Sequence, residues 1–457
     1  MTDTKPLFRK VLIANRGEIA VRIARTLREM GIPSVAVYSD ADAGAAHLDA
    51  ADEAYPLGPP MPAQSYLNQD RIFEIARDAG VDAIHPGYGF LSENAAFARR
   101  CEAEGVVFIG PPPDAIEAMG SKIAARRAAK AAGVPIVPGT EDPLSDAAEI
   151  TAVAGELGFP VAIKAAAGGG GYGMRVANAP AEVAATLEGV RRDAGRAFGD
   201  TTVYVEKFFS PAPRHIEIQV LGDRFGNVVH LGERECSLQR RFQKIVEETP
   251  SVAVSDDLRQ RMGEAAVALA RHMGYQSAGT IECLVSDGEF YFLEMNTRLQ
   301  VEHPVTEEVT GVDIVQEMVR IAAGLPLSIP EQGIGPRGHA IEARIYAEDP
   351  ARNFMPSPGQ IIQLDIPELP GLRVDTGARA GTNVTVYYDP MIAKLIAWGE
   401  DRAAAIETMG GALQAITVEG VKTNIPFLQR ILAGDDFAAG RIHTRYVDER
   451  LNEIMAG

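Results

Sequence analysis

The run Glu294-Met295-Asn296-Thr297-Arg298-Leu299-Gln300-Val301-Glu302 interleaves polar and apolar side chains after the strand-like Glu289-Phe290-Tyr291-Phe292-Leu293. If extended pairing continues, alternate side chains share a face. Glu294, Asn296, Arg298, Gln300 and Glu302 then line one side, and Met295, Leu299, Val301 and the smaller Thr297 the other. Periodicity alone also describes a half-buried strand with a solvated polar face. The content of the face says more: two carboxylates and an amide oxygen suit a hard divalent cation, and a guanidinium suits a planar oxyanion.

A further carboxylate lies upstream. Residues 280–285 read as a strand, and Asp287-Gly288 marks a hairpin turn into the polar row. A two-residue loop puts Glu282 and Glu294 on opposite faces, whereas a three-residue loop with Gly288 in the left-handed region puts them on one. The expectation is the odd-length loop, with both carboxylates facing a metal.

Other stretches carry chemistry of their own. Residues 161–176 read as a strand ending in Lys164, a glycine loop (Gly168 to Gly171, then Tyr172-Gly173) and a second strand. Consecutive glycines expose backbone N–H groups that can wrap a polyphosphate. No Gly-Lys-Ser/Thr follows, so the loop is not a Walker A motif. His215, Glu217 and Gln219 share a face of an alternating strand, as do Glu342 and Arg344. Gln239-Arg240-Arg241-Phe242-Gln243-Lys244 is the one dense basic cluster, and Glu233, Arg234, Glu235, Glu247 and Glu248 around it offer ordinary pairing. His85-Pro86-Gly87-Tyr88-Gly89-Phe90 follows a short strand, where open α/β sheets bind ligands, although its glycines also serve plain turn geometry.

These side chains need elements to hold them. A strand at 10–14, a helix at 19–30 and a strand at 33–38 make a βαβ opening, continued by a helix at 71–80 and strands at 83–86 and 106–110. The first turn has one glycine where a dinucleotide fingerprint needs three. Helices are expected over 122–132, 314–323, 402–416 and 424–433, strands over 203–209 and 338–346, strand and turn over 359–388, and a hinge at Ser210-Pro211-Ala212-Pro213.

Composition bounds the class. At 457 residues with 46% hydrophobic side chains, the chain has ample material for about three globular domains. The net charge of −18 excludes a nucleic-acid surface, which needs a basic stripe. No apolar run reaches the length of a membrane span, and the N-terminus has no apolar segment behind its charges, so a cytoplasmic location is the default. Three scattered cysteines, Cys101, Cys236 and Cys283, read as buried inert thiols.

The order of strand, glycine loop, strand, hairpin and Glu-x-Asn resembles the ATP-grasp enzymes. Within them, Ala14-Asn15-Arg16-Gly17-Glu18-Ile19-Ala20, residues 85–94 and residues 294–303 resemble biotin carboxylase, and the resemblance covers nearly the whole chain. It implies α/β and α+β architecture: an open parallel α/β domain over 1–121, an ATP-grasp region over 122–323 with a mobile lid at about 135–209, and a C-terminal mixed β/α domain over 324–457. The implied reaction turns ATP and bicarbonate into carboxyphosphate, whose carbon dioxide passes to N1′ of biotin. Glu282, Glu294 and Asn296 would hold Mg²⁺ or Mn²⁺. Lys122, Lys164, Gly170, Gly171 and His215 would meet the nucleotide, with Glu206, Lys207 and Phe209 around the adenine and Gln239 and Phe242 also in the ATP site. Lys244, Arg298, Gln300 and Val301 would bind bicarbonate, Glu302 would take its proton, and Arg344 would stabilise the biotin enolate beside Tyr88 and Asp389.

Three positions depart from that pattern. Tyr172 stands where the family usually has Arg or Lys, Phe242 where it usually has His, and Ala167 replaces a glycine. Losing one charge-assisted hydrogen bond of about 1.5–3 kcal/mol weakens ATP binding by an order of magnitude or more. A Met-Lys-Met biotin-attachment segment is absent from the sequence. The missing segment leads to the expectation of a separate biotin carboxyl carrier protein and carboxyltransferase, and the resemblance alone implies a homodimer that serves acetyl-CoA or related acyl-CoA carboxylation in fatty acid biosynthesis. Two rival readings are an ATP-grasp ligase joining a carboxylate to an amine, which Lys244 and Arg298-x-Gln300-x-Glu302 disfavour, and a nucleotide-binding scaffold subunit without turnover.

Overall fold

Short apolar runs alternating with amphipathic helices give the first part of the chain a parallel sheet. The computed structural model describes residues 7–140, 142–166 and 173–456. Strands β1 (Val11–Ile13), β2 (Ser34–Ser39), β3 (Glu53–Gly58), β4 (Ala83–His85) and β5 (Val107–Phe108) form a five-stranded sheet in the order β3-β2-β1-β4-β5. The helix Gly17–Glu29 buries Ile19, Ile23 and Leu27, spaced four apart, on one side. Strand order reverses between β1 and β4, so their carboxyl ends, which lead into Asn15 and into Tyr88, flank a crevice.

A small antiparallel sheet follows, in the order β7-β6-β8, from β6 (Val161–Ala165), β7 (Met174–Ala177) and β8 (Val203–Lys207). Gly170 and Gly171, with Ala167 and Tyr172, lie between β6 and β7 and outside the described residues.

The site is built on an eight-stranded antiparallel sheet. Its strands are β9 (Arg214–Gly222), β10 (Val228–Arg240), β11 (Gln243–Thr249), β12 (Ser277–Ser286), β13 (Glu289–Asn296), β14 (His339–Tyr346), Leu372–Thr376 and Met391–Gly399. The order runs β13-β12-β9-β10-β11-β14, then Met391–Gly399 and Leu372–Thr376 at the far edge. Period-2 alternation divides its faces. Ile216, Ile218, Ile281, Cys283, Phe290 and Phe292 pack into one core with Leu258, Met262 and Leu269 of the helix Asp256–His272. Ile341, Ala343, Ile345 and Leu395 pack into another with Ala405, Met409 and Leu428 of the helices Arg402–Ala415 and Ile425–Leu432. The charged residues of the same strands are left to the opposite side. All three cysteines are buried and free.

The β12–β13 hairpin corrects two expectations. Its loop is two residues, Asp287-Gly288, with φ of 53° and 78°, rather than the odd-length loop. Glu282 nevertheless stands opposite Glu294, because the register shifts between Glu282 and Cys283, whose partner is Phe292. Leu293 is the extra residue of a β-bulge and supplies the offset assigned to the turn. The second correction is that strand pairing stops at Asn296: Thr297 to Glu302 are irregular, and the helix His303–Thr310 follows. Leu299 is still fully buried and its polar neighbours still face the crevice, so the alternation of side chains outlasts the strand.

Candidate active site

The small sheet, the central sheet and the end of β4 enclose a cleft of about 1300 Å³. Every sequence-expected site residue among the described ones lines it.

At its floor, Lys244 enters from β11 between three carboxylates. Its Nζ donates to Glu217 Oε2 at 2.6 Å, Glu282 Oε1 at 2.8 Å and Glu302 Oε1 at 2.6 Å. Burial disfavours the ammonium, but these carboxylates outweigh it and hold the lysine well above its ordinary pKa. The reciprocal effect lowers Glu302: burial would raise its carboxyl, yet Lys244, Arg344 and Arg234 keep it ionised far below the usual range. Glu302 is thereby ionised and free to accept a proton, while the same cations weaken it as a base until a neighbouring anion or a shift of Lys244 relieves them.

Glu282 is also held well below its ordinary pKa, burial being overcome by Lys244 and by His215, whose Nε2 lies 3.0 Å from Glu282 Oε2. Glu294 goes the other way: burial first, then the charge of Glu282, raise its carboxyl against Lys122. Glu294 makes no ion pair or side-chain hydrogen bond among the described residues, while Asn296 Nδ2 donates to Glu282 Oε1 at 2.8 Å. Two facing carboxylates, one of them unpaired, beside an amide are a hard-oxygen donor set that fits a divalent cation. His215, Glu217 and Glu282 also bring donor atoms within 4.8 Å of one another, but Lys244 and Arg234 already neutralise Glu217.

Arg298 is clamped from three directions. Nε donates to Glu93 Oε2 at 2.9 Å, Nη1 to Gln300 Oε1 at 3.0 Å and Nη2 to Asn296 Oδ1 at 3.1 Å. Glu93 Oε1 also accepts from Thr297 N at 3.1 Å, which anchors the irregular segment to the parallel-sheet part of the chain. Gln300 Nε2 reaches Glu282 Oε1 at 3.3 Å. Arg298, Gln300, Glu282, Lys244 and Glu302 are thus joined in one hydrogen-bonded network along the cleft.

On the small-sheet side, Lys122 opens the helix Lys122–Ala131, capped by Ser121, and its ammonium is lowered by burial and by Lys164. Two lysines and a helix N-terminus aimed into one space favour an anion. Lys164 rests on Glu206, which Arg126 also holds. Lys207 Nζ donates to Gly158 O at 2.8 Å, and the Phe209 ring lies 5.2 Å from that of Tyr291. Gln239 Nε2 spans His215 Nδ1 at 2.9 Å and Cys236 O at 2.8 Å. Phe242 is 56% exposed at the tip of the β10–β11 hairpin.

The third wall is Arg344, Tyr88 and Asp389. Arg344 Nη2 donates to Glu302 Oε2 at 2.9 Å and also meets Glu247. The Tyr88 hydroxyl donates to Glu18, which lies 3.2 Å from Lys394 Nζ. Asn15 Nδ2 fixes the backbone here through Pro86 O and Tyr88 O, both at 2.7 Å. Gly87 is required by that contact: at φ of 64°, a Cβ there would sit 2.9 Å from Asn15 Nδ2.

Sequence reasoning assigned no role to Glu93, Glu217, Arg234 or Lys394. Arg234 is fully buried and holds Gln219 Oε1 at 2.8 Å and Thr306 Oγ1 at 3.0 Å as well as Glu217. Lys394 Nζ donates to Val301 O at 2.7 Å. The signal for Lys394 was present: it is the only charge in the apolar strand Met391–Gly399. Arg234 was hidden in Glu233-Arg234-Glu235, which reads as a solvated charge run.

Comparison with known families decides what this cleft belongs to. Family models described as "Biotin carboxylase, N-terminal domain", "Carbamoyl-phosphate synthase L chain, ATP binding domain" and "Biotin carboxylase C-terminal domain" match residues 7–116, 121–330 and 342–449. The chain belongs to the biotin carboxylase family. As such it is an ATP-grasp ligase. It is 52% identical to a biotin carboxylase of Halalkalibacterium halodurans, covering 97% of this chain and 98% of that one. It is also 52% identical to a pyruvate carboxylase subunit of Methanothermobacter thermautotrophicus, covering 98% and 91%. Among solved structures it is similar to the biotin carboxylase domain dimer of Hydrogenobacter thermophilus 2-oxoglutarate carboxylase in complex with MgADP, ADP and bicarbonate, with a TM-score of 0.93, 47% identity and 98% of each chain covered. Among the described residues of this biotin carboxylase, no helix is long and apolar enough to cross a membrane.

Proposed function

We propose that this chain carboxylates N1′ of carrier-borne biotin, using ATP and bicarbonate through carboxyphosphate. The observation that carries the reading is Glu302, ionised between Lys244 at 2.6 Å and Arg344 at 2.9 Å and adjoining the clamp of Arg298, Gln300 and Val301. Bicarbonate bound by Lys244, Arg298, Gln300 and the Val301 segment gives its proton to Glu302, and its freed oxygen displaces ADP from the γ-phosphorus of ATP to form carboxyphosphate, which splits into phosphate and the carbon dioxide that N1′ takes up. Bicarbonate is a weak nucleophile, so the clamp has to orient it and the cations have to stabilise the charge that develops.

Lys122, Lys164 and His215 face the phosphates in this reading, and Gly170 and Gly171 also belong to the nucleotide site. Glu206, Lys207, Phe209, Gln239 and Phe242 take the nucleoside. Glu282, Glu294 and Asn296 would hold Mg²⁺ or Mn²⁺, which supplies positive charge against the phosphate oxygens when bound. Arg344, with Tyr88 and Asp389 nearby, receives the ureido ring and stabilises its enolate. The chain acts as a cytoplasmic homodimer with a separate biotin carboxyl carrier protein and carboxyltransferase. Acetyl-CoA or a related acyl-CoA is the acceptor that the family resemblance implies. The names of the two relatives above, pyruvate carboxylase and 2-oxoglutarate carboxylase, offer 2-oxo acids as the competing class.

The test is ATP hydrolysis by the purified chain with and without bicarbonate, then with free biotin added. Turnover that requires bicarbonate and rises with biotin is the expected result. ATP binding without turnover would replace this reading with the scaffold.

A further inference from the structure

Two buried carboxylates next to the cleft have no part in the reaction as described. Glu247 on β11 and Glu342 on β14 are direct cross-strand partners, both fully buried. Side chains so paired stand about 5 Å apart, and like charges there repel. Among the described residues, neither oxygen of Glu342 has a hydrogen-bond partner, and Glu247 meets no group but Arg344. Glu247 has one ion-pair partner, the Arg344 Nη2 that also donates to Glu302. Glu342 has no ion-pair partner among the described residues.

The other groups facing the pair are already engaged. Lys244, on the same strand as Glu247, is shared by Glu217, Glu282 and Glu302. Lys394, across from Arg344, meets Glu18 and Val301 O. Cys236 on β10 is kept a neutral thiol, because burial first and nearby carboxylates next raise it well above its ordinary value. Arg344 is the one cation in contact with Glu247, Lys394 acts on Glu342 through its charge without pairing with it, and Glu302 at the start of the helix His303–Thr310 already claims part of Arg344. One guanidinium cannot offset both carboxylates together with Glu302.

We propose that Glu247 and Glu342 hold one proton between them, seated on Glu342, and that ionised Glu247 is the positioning residue that keeps Arg344 in place while Glu302 carries the proton of bicarbonate. Protonation of Glu302 strips Arg344 of one of its two anionic partners. A buried cation without a counter-ion is strongly disfavoured. Glu247, which does not line the cleft, supplies the second partner throughout. The protonation energetics run the same way: burial, with Glu302 adding to it against Arg344, pushes Glu247 up to about 7. Glu342 is raised further, by burial and then by Glu247 against the pull of Lys394.

This inference rests on the proposed role of Arg344, and its test has a readout that does not. Infrared spectra of the purified chain at about pH 8 should show the carbonyl stretch of a buried protonated carboxyl, lost in Glu342→Gln. In biotin-stimulated ATP turnover, Glu247→Gln should lower kcat about tenfold or more with KM for ATP within about twofold of wild type. Glu247→Asp, which keeps the charge, should recover much of the lost rate. Glu342→Gln, which reproduces a neutral carboxyl, should stay within about twofold of wild type. A carboxyl band that survives in Glu342→Gln overturns the shared proton whatever the reaction is. Glu342→Gln slowed as much as Glu247→Gln, or Glu247→Gln raising KM in step with its loss of kcat, overturns the positioning role.

Discussion

The two hairpins that flank the cleft share a loop length and differ in turn chemistry. The β12–β13 loop is Asp287-Gly288, with φ of 53° and 78°, and the β10–β11 loop is Arg241-Phe242, with φ of 50° and 67°. Both need left-handed backbone at both central positions, which Asp-Gly accepts readily and Arg-Phe does not. The first hairpin has a relaxed turn and carries its irregularity inside the strand, at Leu293. The second also shifts register inside its strands, between Glu235 and Leu238 and between Leu238 and Gln239, and adds strain in the turn, where it holds an exposed aromatic ring at the cleft. In each hairpin an in-strand irregularity adjoins a cleft residue, Glu294 in one and Lys244 in the other, and only the second also strains its turn.

Loss of the side chain that the bulge serves should have the largest effect. Glu294→Ala should bring bicarbonate-dependent ATP hydrolysis to background in a chain that still gives a folded circular dichroism spectrum. Deletion of Leu293, by contrast, leaves a regular ladder in which Glu294 still stands opposite Glu282 on the cleft face, and activity should stay within a few fold of wild type. Activity at background in the deletion would mean that the local twist of the bulge, and not the register alone, aims Glu294.

Individual carboxyls in and beside the cleft also differ in how they respond to acid. Glu282 and Glu302 are held below their unfolded values, so the stability they contribute is present above the ordinary carboxyl range and is lost as pH falls below it. Glu247 is raised to about 7, so its contribution is present at and below the unfolded value and is lost as pH rises through about 7. Between about pH 5 and about pH 7 only the second kind of group titrates, with a slope on the order of 1 kcal/mol per pH unit. Thermal melts across that window should show wild type losing stability relative to Glu247→Gln; parallel curves would remove Glu247 from the account.

At the tip of the second hairpin, Phe242→His restores a polar donor beside the expected nucleotide. Its KM for ATP should fall by up to about tenfold, the worth of one charge-assisted hydrogen bond. An unchanged KM would separate this tip from nucleotide binding. The smallest effects concern the turns themselves. Gly288→Ala should destabilise by roughly 1–2 kcal/mol, all of it backbone, since a Cβ there meets nothing within 4 Å. Phe242→Gly should stabilise by about 1 kcal/mol, because it removes left-handed strain and gives up little burial. Equal and opposite shifts in chemical denaturation would confirm the contrast, and two shifts of the same sign would break it.

Much of the site was legible in the sequence through residue type and spacing. The five polar residues from Glu294 to Glu302 do face one cleft. What escaped were the means. An alternating pattern does not reveal where hydrogen-bonded pairing ends, so the loss of strand after Asn296 left no trace. A bulge residue such as Leu293 looks like any apolar strand residue. In the fold, the parallel sheet and the helices over 19–30 and 122–132 follow from periodicity, whereas β10, the longest strand, was missed because its buried Glu233, Arg234 and Glu235 imitate a surface run. Burial of charge depends on partners brought from distant parts of the chain, and local spacing carries no record of them.

Lys394 bears on how distant parts of the chain depend on one another. Glu18 lies in the helix Gly17–Glu29, and the ammonium beside it comes from the strand Met391–Gly399, more than 370 residues further along the chain. Without it the helix has a carboxylate with no buried cation to meet it, and Val301 O has no donor from that side. Burying either alone is unfavourable, so the helix and the segment before Glu302 depend on one and the same ammonium. Two parts of the chain that lie far apart in sequence are thus sealed by a single side chain.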